Sequence, residues 1–503
     1  MKSIRLMFLI LMLAVSTALM AQEGEGGGSV SDDSGIEGMN QEQSPYGYAI
    51  GGIFGAVSID GKNYQQIGLR PEIKLWKLGI GLDINLLFDD EGKVRKEDWD
   101  EWKDYLDKIY YIRWGQKGDL FSFRYGGLAV TTLGYGTLIT GYTNMLEYPT
   151  YKRQGLELGI ETKHFGMEFI ANDLKELSGG EPGFMGGGRI YIKPFSRLQI
   201  GGSIAGDLNE YKGLRDTDGD GIPDEMDAYP EDDDYATQID YYRAKLVDTN
   251  EPTVIAELIA SGLISDIERS ELMDVNKNRS RTGFWAADAG VKLVDLDFFK
   301  VDVYTQYAMC LNTGGWGYTL PGVRIKGGSL FELYADYRQQ SDEFIFGYYN
   351  DTYDLERAKY VQSGSDYVIQ TKKDKLEAAE EAKGYMAGMR INLFELAYGK
   401  IEYQDMRWGD LRDKSLKGEV AMNKNVIPMI SKAKAYYAQN NVDNFKLKSE
   451  STIMGAVIGI GMSENVSIDF NYLITFQDKD GNGEIEGSDE TITNISVSTS
   501  TVF

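Results

Sequence analysis

Twelve consecutive residues, Asp216-Thr217-Asp218-Gly219-Asp220-Gly221-Ile222-Pro223-Asp224-Glu225-Met226-Asp227, set carboxylates at positions one, three, five, nine and twelve around a turn glycine. Calcium takes roughly six to eight oxygen ligands, and an acid at every second residue lets a short loop wrap such a cation. The backbone carbonyl at position seven, here of Ile222, adds another donor. Calcium is therefore the expected cofactor of Asp216, Asp218, Asp220, Ile222, Asp224 and Asp227. A second run, Asp478-Lys479-Asp480-Gly481-Asn482-Gly483-Glu484-Ile485-Glu486-Gly487-Ser488-Asp489, offers Asp478, Asp480, Asn482, Glu484 and Asp489 as ligands, with Gly483 at the sharp turn. The same Asp-Gly-Asn-Gly is good hairpin chemistry, so a metal loop and a plain turn stand level there. Asp274, Asn276 and Asn278 begin a third such run, but Arg279 occupies the glycine position.

The first of these loops resembles the calcium loop of thrombospondin type 3 repeats over about 15 residues. That resemblance implies a bound calcium and carries no implication for the rest of the chain. Asp227 stands where a helix-flanked loop carries a bidentate Glu. The second loop is similar to an EF-hand loop, although its flanks alternate like strands rather than helices.

Other chemistry is scarce. One histidine, His164, and one cysteine, Cys310, leave no room for an internal disulfide or a Cys/His zinc site. His164 falls in an expected short turn, away from any luminal or outer cluster, which argues against a Ser-His-Asp arrangement. Cys310 reads as a small apolar strand residue. No phosphate-binding loop is present, and a carboxylate-only site would be an arbitrary pair among 78 acids. No enzyme is expected. A net charge of −26 disfavours nucleic acid.

The elements that would carry the loops are legible from the start of the chain. Residues 1–21 read as a signal peptide: basic Lys2 and Arg5, an apolar stretch from Leu6 to Val15, then small residues to Ala21. Residues 22–45 are Gly-, Ser- and acid-rich and read as a disordered leader. From Tyr46 the period is two. Leu78, Ile80, Leu82, Ile84, Leu86 and Phe88 alternate with Gly79, Gly81, Asp83, Asn85 and Leu87, and Val466 to Phe476 and Phe331 to Arg338 behave alike. Each such segment has one apolar and one polar face. No later stretch approaches the roughly 20 apolar residues of a spanning helix. A soluble sandwich would alternate too, but the segments are longer than ordinary soluble strands and suit a tilted crossing of a bilayer.

Short turns near Lys77, Lys117, His164, Pro194–Ser196, Leu296, Gly327, Glu395, Lys424 and Ser463 alternate with long loops around Asp89–Lys108, Leu174–Pro182, Leu208–Thr282, Gln339–Gly384, Trp408–Ser415, Asn440–Leu447 and Gln477–Glu490. Every short turn then falls on one side and every long loop on the other, with helices expected at Glu97–Lys108, Thr253–Met273 and Lys372–Lys383. Thr131 to Arg153 reads as either strand or a loop folded into the lumen. With Phe503 ending the final strand, the chain resembles bacterial outer-membrane β-barrels of the porin type. This implies an all-β, transmembrane antiparallel barrel of about 16–20 strands over residues 46–503, with short periplasmic turns, long outer loops with some helix, and residues 208–282 as a long outer loop holding the calcium motif. Arg70, Glu72, Lys74, Lys300, Asp302, Arg324, Lys326, Glu332, Asp336, Arg338 and Arg390 would face the lumen.

The function expected from this is an outer-membrane channel for small hydrophilic solutes, its outer loops ordered by calcium. The alternative is a non-conducting barrel serving as a surface, adhesion or assembly platform. Expected partners are outer-membrane lipid and small hydrophilic solutes, with no nucleic acid and a homo-oligomer as a candidate assembly.

Overall fold

The computed structural model describes residues 46–502 apart from 242–273 and shorter stretches, among them 60–61, 147–150, 178–182, 237–240, 479–483 and 486–489. The first strands are β1 (Tyr46–Ile59), β2 (Lys62–Leu75), β3 (Leu78–Leu82), β4 (Ile84–Phe88), β5 (Ile109–Trp114), β6 (Phe121–Gly126), β7 (Gly155–Glu161) and β8 (Phe165–Ala171). They are followed by β9 (Met185–Phe195), β10 (Leu198–Asp207), β11 (Thr282–Asp295), β12 (Phe299–Cys310), β13 (Trp316–Gly327) and β14 (Phe331–Gln340). A separate hairpin, β15 (Ala358–Ser363) and β16 (Asp366–Thr371), precedes β17 (Ala382–Leu393), β18 (Ala397–Trp408), β19 (Leu411–Met422), β20 (Ile430–Val442), β21 (Thr452–Gly461), β22 (Val466–Phe476) and β23 (Thr491–Val502). Sheet strands pair antiparallel in chain order, with β2 pairing both β3 and β4, β3 passing to β5 and β14 passing to β17. β1 pairs with β23 from Ala49↔Val502 to Phe54↔Val497, so the sheet closes on itself. Closure removes the free edges that would otherwise leave N–H and C=O groups unpaired in hydrocarbon.

The sheet has 21 strands, but β3 and β4 are two halves of one span, which leaves 20 spans among the described residues. The break falls at Asp83. Its backbone N–H donates to Lys108 O at 2.7 Å, and its buried carboxylate meets Lys152 Nζ at 2.7 Å and Arg70 Nε at 3.6 Å. The spans β5 to β8 are also shorter than expected, at six or seven residues, because the chain leaves the wall there to enter the lumen.

Polarity is inverted relative to a soluble sheet. Ile190, Ile204, Leu333, Ile401, Val420 and Ile458 are exposed on the outside of the wall, whereas Arg189, Asp288, Gln306, Asp336 and Arg338 are buried inside it. Covering one such aliphatic side chain gains about 1.5–3 kcal/mol, so a belt of them facing outward fits a hydrocarbon surrounding and not water. Inside, tyrosine rings lie flat across glycines on the neighbouring strand: Tyr304 on Gly322, Tyr334 on Gly388 and Tyr436 on Gly455, each a directly opposed pair in the register. A Cβ at any of these glycines would fall within the ring.

At one rim the connections are short, including 162–164, 196–197, 296–298 and 328–330. At the other lie the long loops 89–108, 127–154, 172–184, 208–281, 341–381, 443–451 and 477–490. The loop-rim connection 311–315 is short as well, and Ile59 pairs with Lys62 and Trp408 with Leu411 at two further strand ends on that rim. The long loop expected over Trp408–Ser415 is instead a two-residue turn closing Trp408 against Leu411, with Gly409 supplying the positive φ of 55° that such a turn needs. Two of the expected helices are present in shortened form, α1 (Trp102–Leu106) and α3 (Lys372–Glu377); α2 (Tyr353–Glu356) lies between them in the chain. The helix expected at Thr253–Met273 lies outside the described residues, as does Phe503.

Candidate functional site

The stretch from Thr131 to Arg153 takes the second of its two readings and folds into the lumen. Leu133, Leu138, Ile139 and Tyr142 pack there with Phe344, Phe346, Tyr348, Tyr349 and Tyr353 of loop 341–381, against Ile170, Met185, Phe284 and Cys310 of the wall. The two loops are joined through backbone: Thr140 N–H to Tyr349 O at 2.9 Å, Tyr349 N–H to Leu138 O at 3.1 Å and Gly347 N–H to Thr137 O at 2.8 Å. Aromatic edges meet faces throughout, with Tyr348–Tyr349 ring centres 5.0 Å apart and Tyr349–Tyr353 4.9 Å. Such pairs contribute about 0.5–1.5 kcal/mol each beyond burial.

Polar anchors fix loop 341–381 to the wall. Arg357, fully buried, donates to Glu176 Oε1 and Oε2, both at 2.8 Å, to Asp207 at 2.7 and 3.2 Å, and to Asn209 O at 3.2 Å. Tyr353 donates its hydroxyl to Asp207 at 2.7 Å. Glu210 accepts from the Tyr348 hydroxyl at 2.7 Å, from Thr282 Oγ1 at 2.9 Å and from Lys373 N–H at 3.1 Å. Burial, reinforced by Asp207, pushes the Glu210 carboxyl up to about 7. Burial works against Glu356 as well, but Lys372 and Lys375 hold it down at about 2. Further along the loop, Asp351 accepts from Lys417 at 2.8 Å and Asn440 at 2.9 Å. The loop therefore crosses the lumen as a chord, from β10–β11 to β19–β20.

Between this chord and the short-turn rim lies a cavity of about 1250 Å³. It reaches that rim, since Lys117, His164 and Pro194–Arg197 line it. His164 thus sits in the expected turn but at the mouth of the chamber, not away from it; its backbone N–H donates to Thr162 Oγ1 at 3.4 Å, and no acid or nucleophile is hydrogen-bonded to its ring among the described residues. Of the residues expected to face inward, Arg70, Asp302, Arg324, Lys326, Glu332 and Arg390 line the chamber, and Asp336 and Arg338 are buried just beyond. Tyr135 of the folded-in loop stacks on Tyr304 at 4.3 Å, and Tyr304 donates to Asp336 at 2.9 Å. Tyr334 donates to Glu402 at 2.7 Å.

The acidic loop at 216–227 is brought together only in part. Carboxylate oxygens of Asp216, Asp218 and Asp220 lie within 4.8 Å of one another. Asp216 accepts from Gly219 N–H at 2.9 Å and Gly221 N–H at 3.1 Å, and Asp220 from Ile222 N–H at 2.6 Å. Burial pushes Asp216 up to about 6 and Asp227 to about 7, with neighbouring acids adding to both shifts. One oxygen each of Asp218 and Asp227 is buried with no hydrogen-bond partner. Asp224 is turned elsewhere: it meets Arg215 at 3.2 Å and accepts from Thr217 N–H at 2.7 Å. In the second run, Asp478 is buried and Glu484 faces Lys446 at 3.6 Å, while Asp480, Asn482 and Asp489 lie outside the described residues.

The anchors Arg357, Glu176, Asp207, Glu210 and Tyr353 were not singled out by sequence. The one local hint is the aromatic density of Phe344–Tyr353, too rich for a solvated loop.

No family model and no curated protein matches the chain. Similar solved structures include the ferric enterobactin receptor of Pseudomonas aeruginosa, at 9% identity over 92% of this chain and 81% of that one, with a TM-score of 0.35. Wzi of Escherichia coli, described as a carbohydrate-binding β-barrel of the outer membrane involved in capsule assembly, shows 9% identity over 91% and 84%, with a TM-score of 0.34. A porin mutant of Rh. blastica shows 8% over 91% and 99%, with a TM-score of 0.26. The barrel assignment rests on the chain's own strand register.

Proposed function

We propose that the protein is an outer-membrane channel for small hydrophilic solutes, with the short turns in the periplasm and the long loops outside. The observation that carries this reading is the inverted wall: a charged chamber of about 1250 Å³ enclosed by strands whose outer faces are apolar. A barrel meant only to display loops has no need of a wet, charged interior that reaches one rim. The loop chord narrows the passage and makes it selective by size. Calcium held by Asp216, Asp218, Asp220 and Asp227 would neutralise like charges in loop 208–281 and order it; the buried, unpartnered carboxylate oxygens support this role. The reading involves no catalysed reaction.

The test is swelling of liposomes carrying the purified protein in isosmotic sugars of graded size. Uptake that falls steeply with solute size supports a narrow channel, and no uptake of the smallest sugar refutes it. A second reading, a non-conducting surface platform, draws on the depth to which Tyr142, Tyr349 and Arg357 are buried in the lumen. It predicts no swelling and no ionic current.

A further inference from the structure

The charge of the chamber runs against the charge of the chain. Its lining holds fourteen Lys or Arg against seven Asp or Glu, inside a protein whose net charge is −26. Part of this excess lies on the wall from β12 to β18, which also carries Asp302, Glu332 and Glu402. Antiparallel register sets Lys300 opposite Lys326, Lys326 opposite Glu332, Glu332 opposite Arg390, and Arg390 opposite Lys400. Of these, Lys326, Arg390 and Lys400 line the chamber around Glu332 on four adjacent strands, β13, β14, β17 and β18, and the register continues from Lys400 to Glu419 on β19.

Glu332 is shared further. Arg324 lies 3.2 Å from it, Lys326 3.5 Å and Arg390 3.4 Å. One carboxylate cannot neutralise three cations. The three side chains keep 29%, 43% and 46% of their surface accessible, and all three line the chamber, so their free donors face its water. The cube root of the volume gives a width of roughly 11 Å, close to the ~10 Å screening length of 0.1 M salt. The field of the band therefore extends across the chamber instead of decaying at the wall. A cleft lined by one sign of charge concentrates the opposite sign.

We propose that the chamber selects small anionic solutes, with Arg324, Lys326, Arg390 and Lys400 forming the band that engages a carboxylate or phosphate group. The planar guanidinium forks of Arg324 and Arg390 suit either group in bidentate fashion. This inference deepens the channel reading and rests on it.

The test is the zero-current potential of the intact protein in a planar bilayer under a potassium chloride gradient at low ionic strength. Wild type is expected to prefer chloride several-fold. Lys326→Gln and Arg390→Gln should each lower that preference, Arg390→Glu should lower it further or reverse it, and Lys326→Arg should retain it. Heat-modifiable mobility on gels verifies that each variant is a folded barrel, and the two glutamine variants suffice if Arg390→Glu does not fold. Cation preference in wild type, or a preference unmoved by every variant, overturns the inference while leaving a conducting channel. Absence of current from folded protein overturns the channel reading itself, and the inference with it.

Discussion

Replacing Arg357 by Met should undock the loop that crosses the lumen. The Arg357 guanidinium makes five hydrogen bonds, of which four go to Glu176 and Asp207, and none of the three side chains has appreciable access to water. Methionine fills much of the volume but leaves two carboxylates facing each other in an apolar surrounding. Breaking a buried pair by removing one partner costs about 3–5 kcal/mol. At about 1.4 kcal/mol per factor of ten, the undocked population rises roughly a hundredfold to several thousandfold. The barrel wall should persist, since it is held by ladder pairing that Arg357 does not join. Limited proteolysis of folded protein in detergent reads the outcome: cleavage within 341–381 should accelerate by a comparable factor, and single-channel current should become larger or noisier. Unchanged cleavage and unchanged current in folded Arg357→Met protein would refute the anchoring role. The triple variant Arg357→Met, Glu176→Gln, Asp207→Asn should recover much of the protection, because the stranded charges are then gone.

Glu210 gives the same docking a pH dependence. Its carboxyl is raised from 4.5 to about 7 in the folded loop, so the folded state holds the proton more tightly than the undocked one. Its contribution is complete below the ordinary carboxylate range and is lost as pH rises through about 7, by at most ~3 kcal/mol at about 1.4 kcal/mol per unit. Proteolysis of 341–381 should therefore be faster at pH 8 than at pH 6, and Glu210→Gln should flatten that dependence. Calcium added to the wild-type protein should slow cleavage within loop 208–281, and Asp216→Asn with Asp220→Asn should abolish the effect; calorimetric titration that detects no calcium binding to wild type would refute the site. Gly388→Val places a branched side chain into the Tyr334 ring and should lower the unfolding midpoint by an amount matching about 1–3 kcal/mol of overpacking, read from loss of the heat-modifiable band.

The wall was legible because strand alternation is a local property. Val466 to Phe476 alternates residue by residue and forms the whole of β22, and the polar residues opposite the apolar ones, Arg324 or Glu332 for instance, turn inward as that alternation requires. The break at Asp83 was not legible, because its partner Lys152 lies far along the chain. The same holds for the loop chord: Arg357 reaches Glu176 across 181 residues, and no spacing rule links positions so distant. The turn at Gly409 was readable in principle from the glycine that its positive φ requires. In the acidic loop, the spacing of Asp216, Asp218 and Asp220 brings them together as expected, whereas Asp224 is drawn away by Arg215, a neighbour that the ligand spacing ignores.

The account's central claim is that the barrel encloses a conducting, water-filled path narrowed by its own loops. Single-channel recording of the purified protein in a planar bilayer, on material verified as a folded barrel by heat-modifiable mobility, addresses that claim directly. The account predicts stable stepwise openings, small for a barrel of this size and enlarged in Arg357→Met. A silent bilayer with both wild type and Arg357→Met, from protein that is demonstrably folded and inserted, would contradict it.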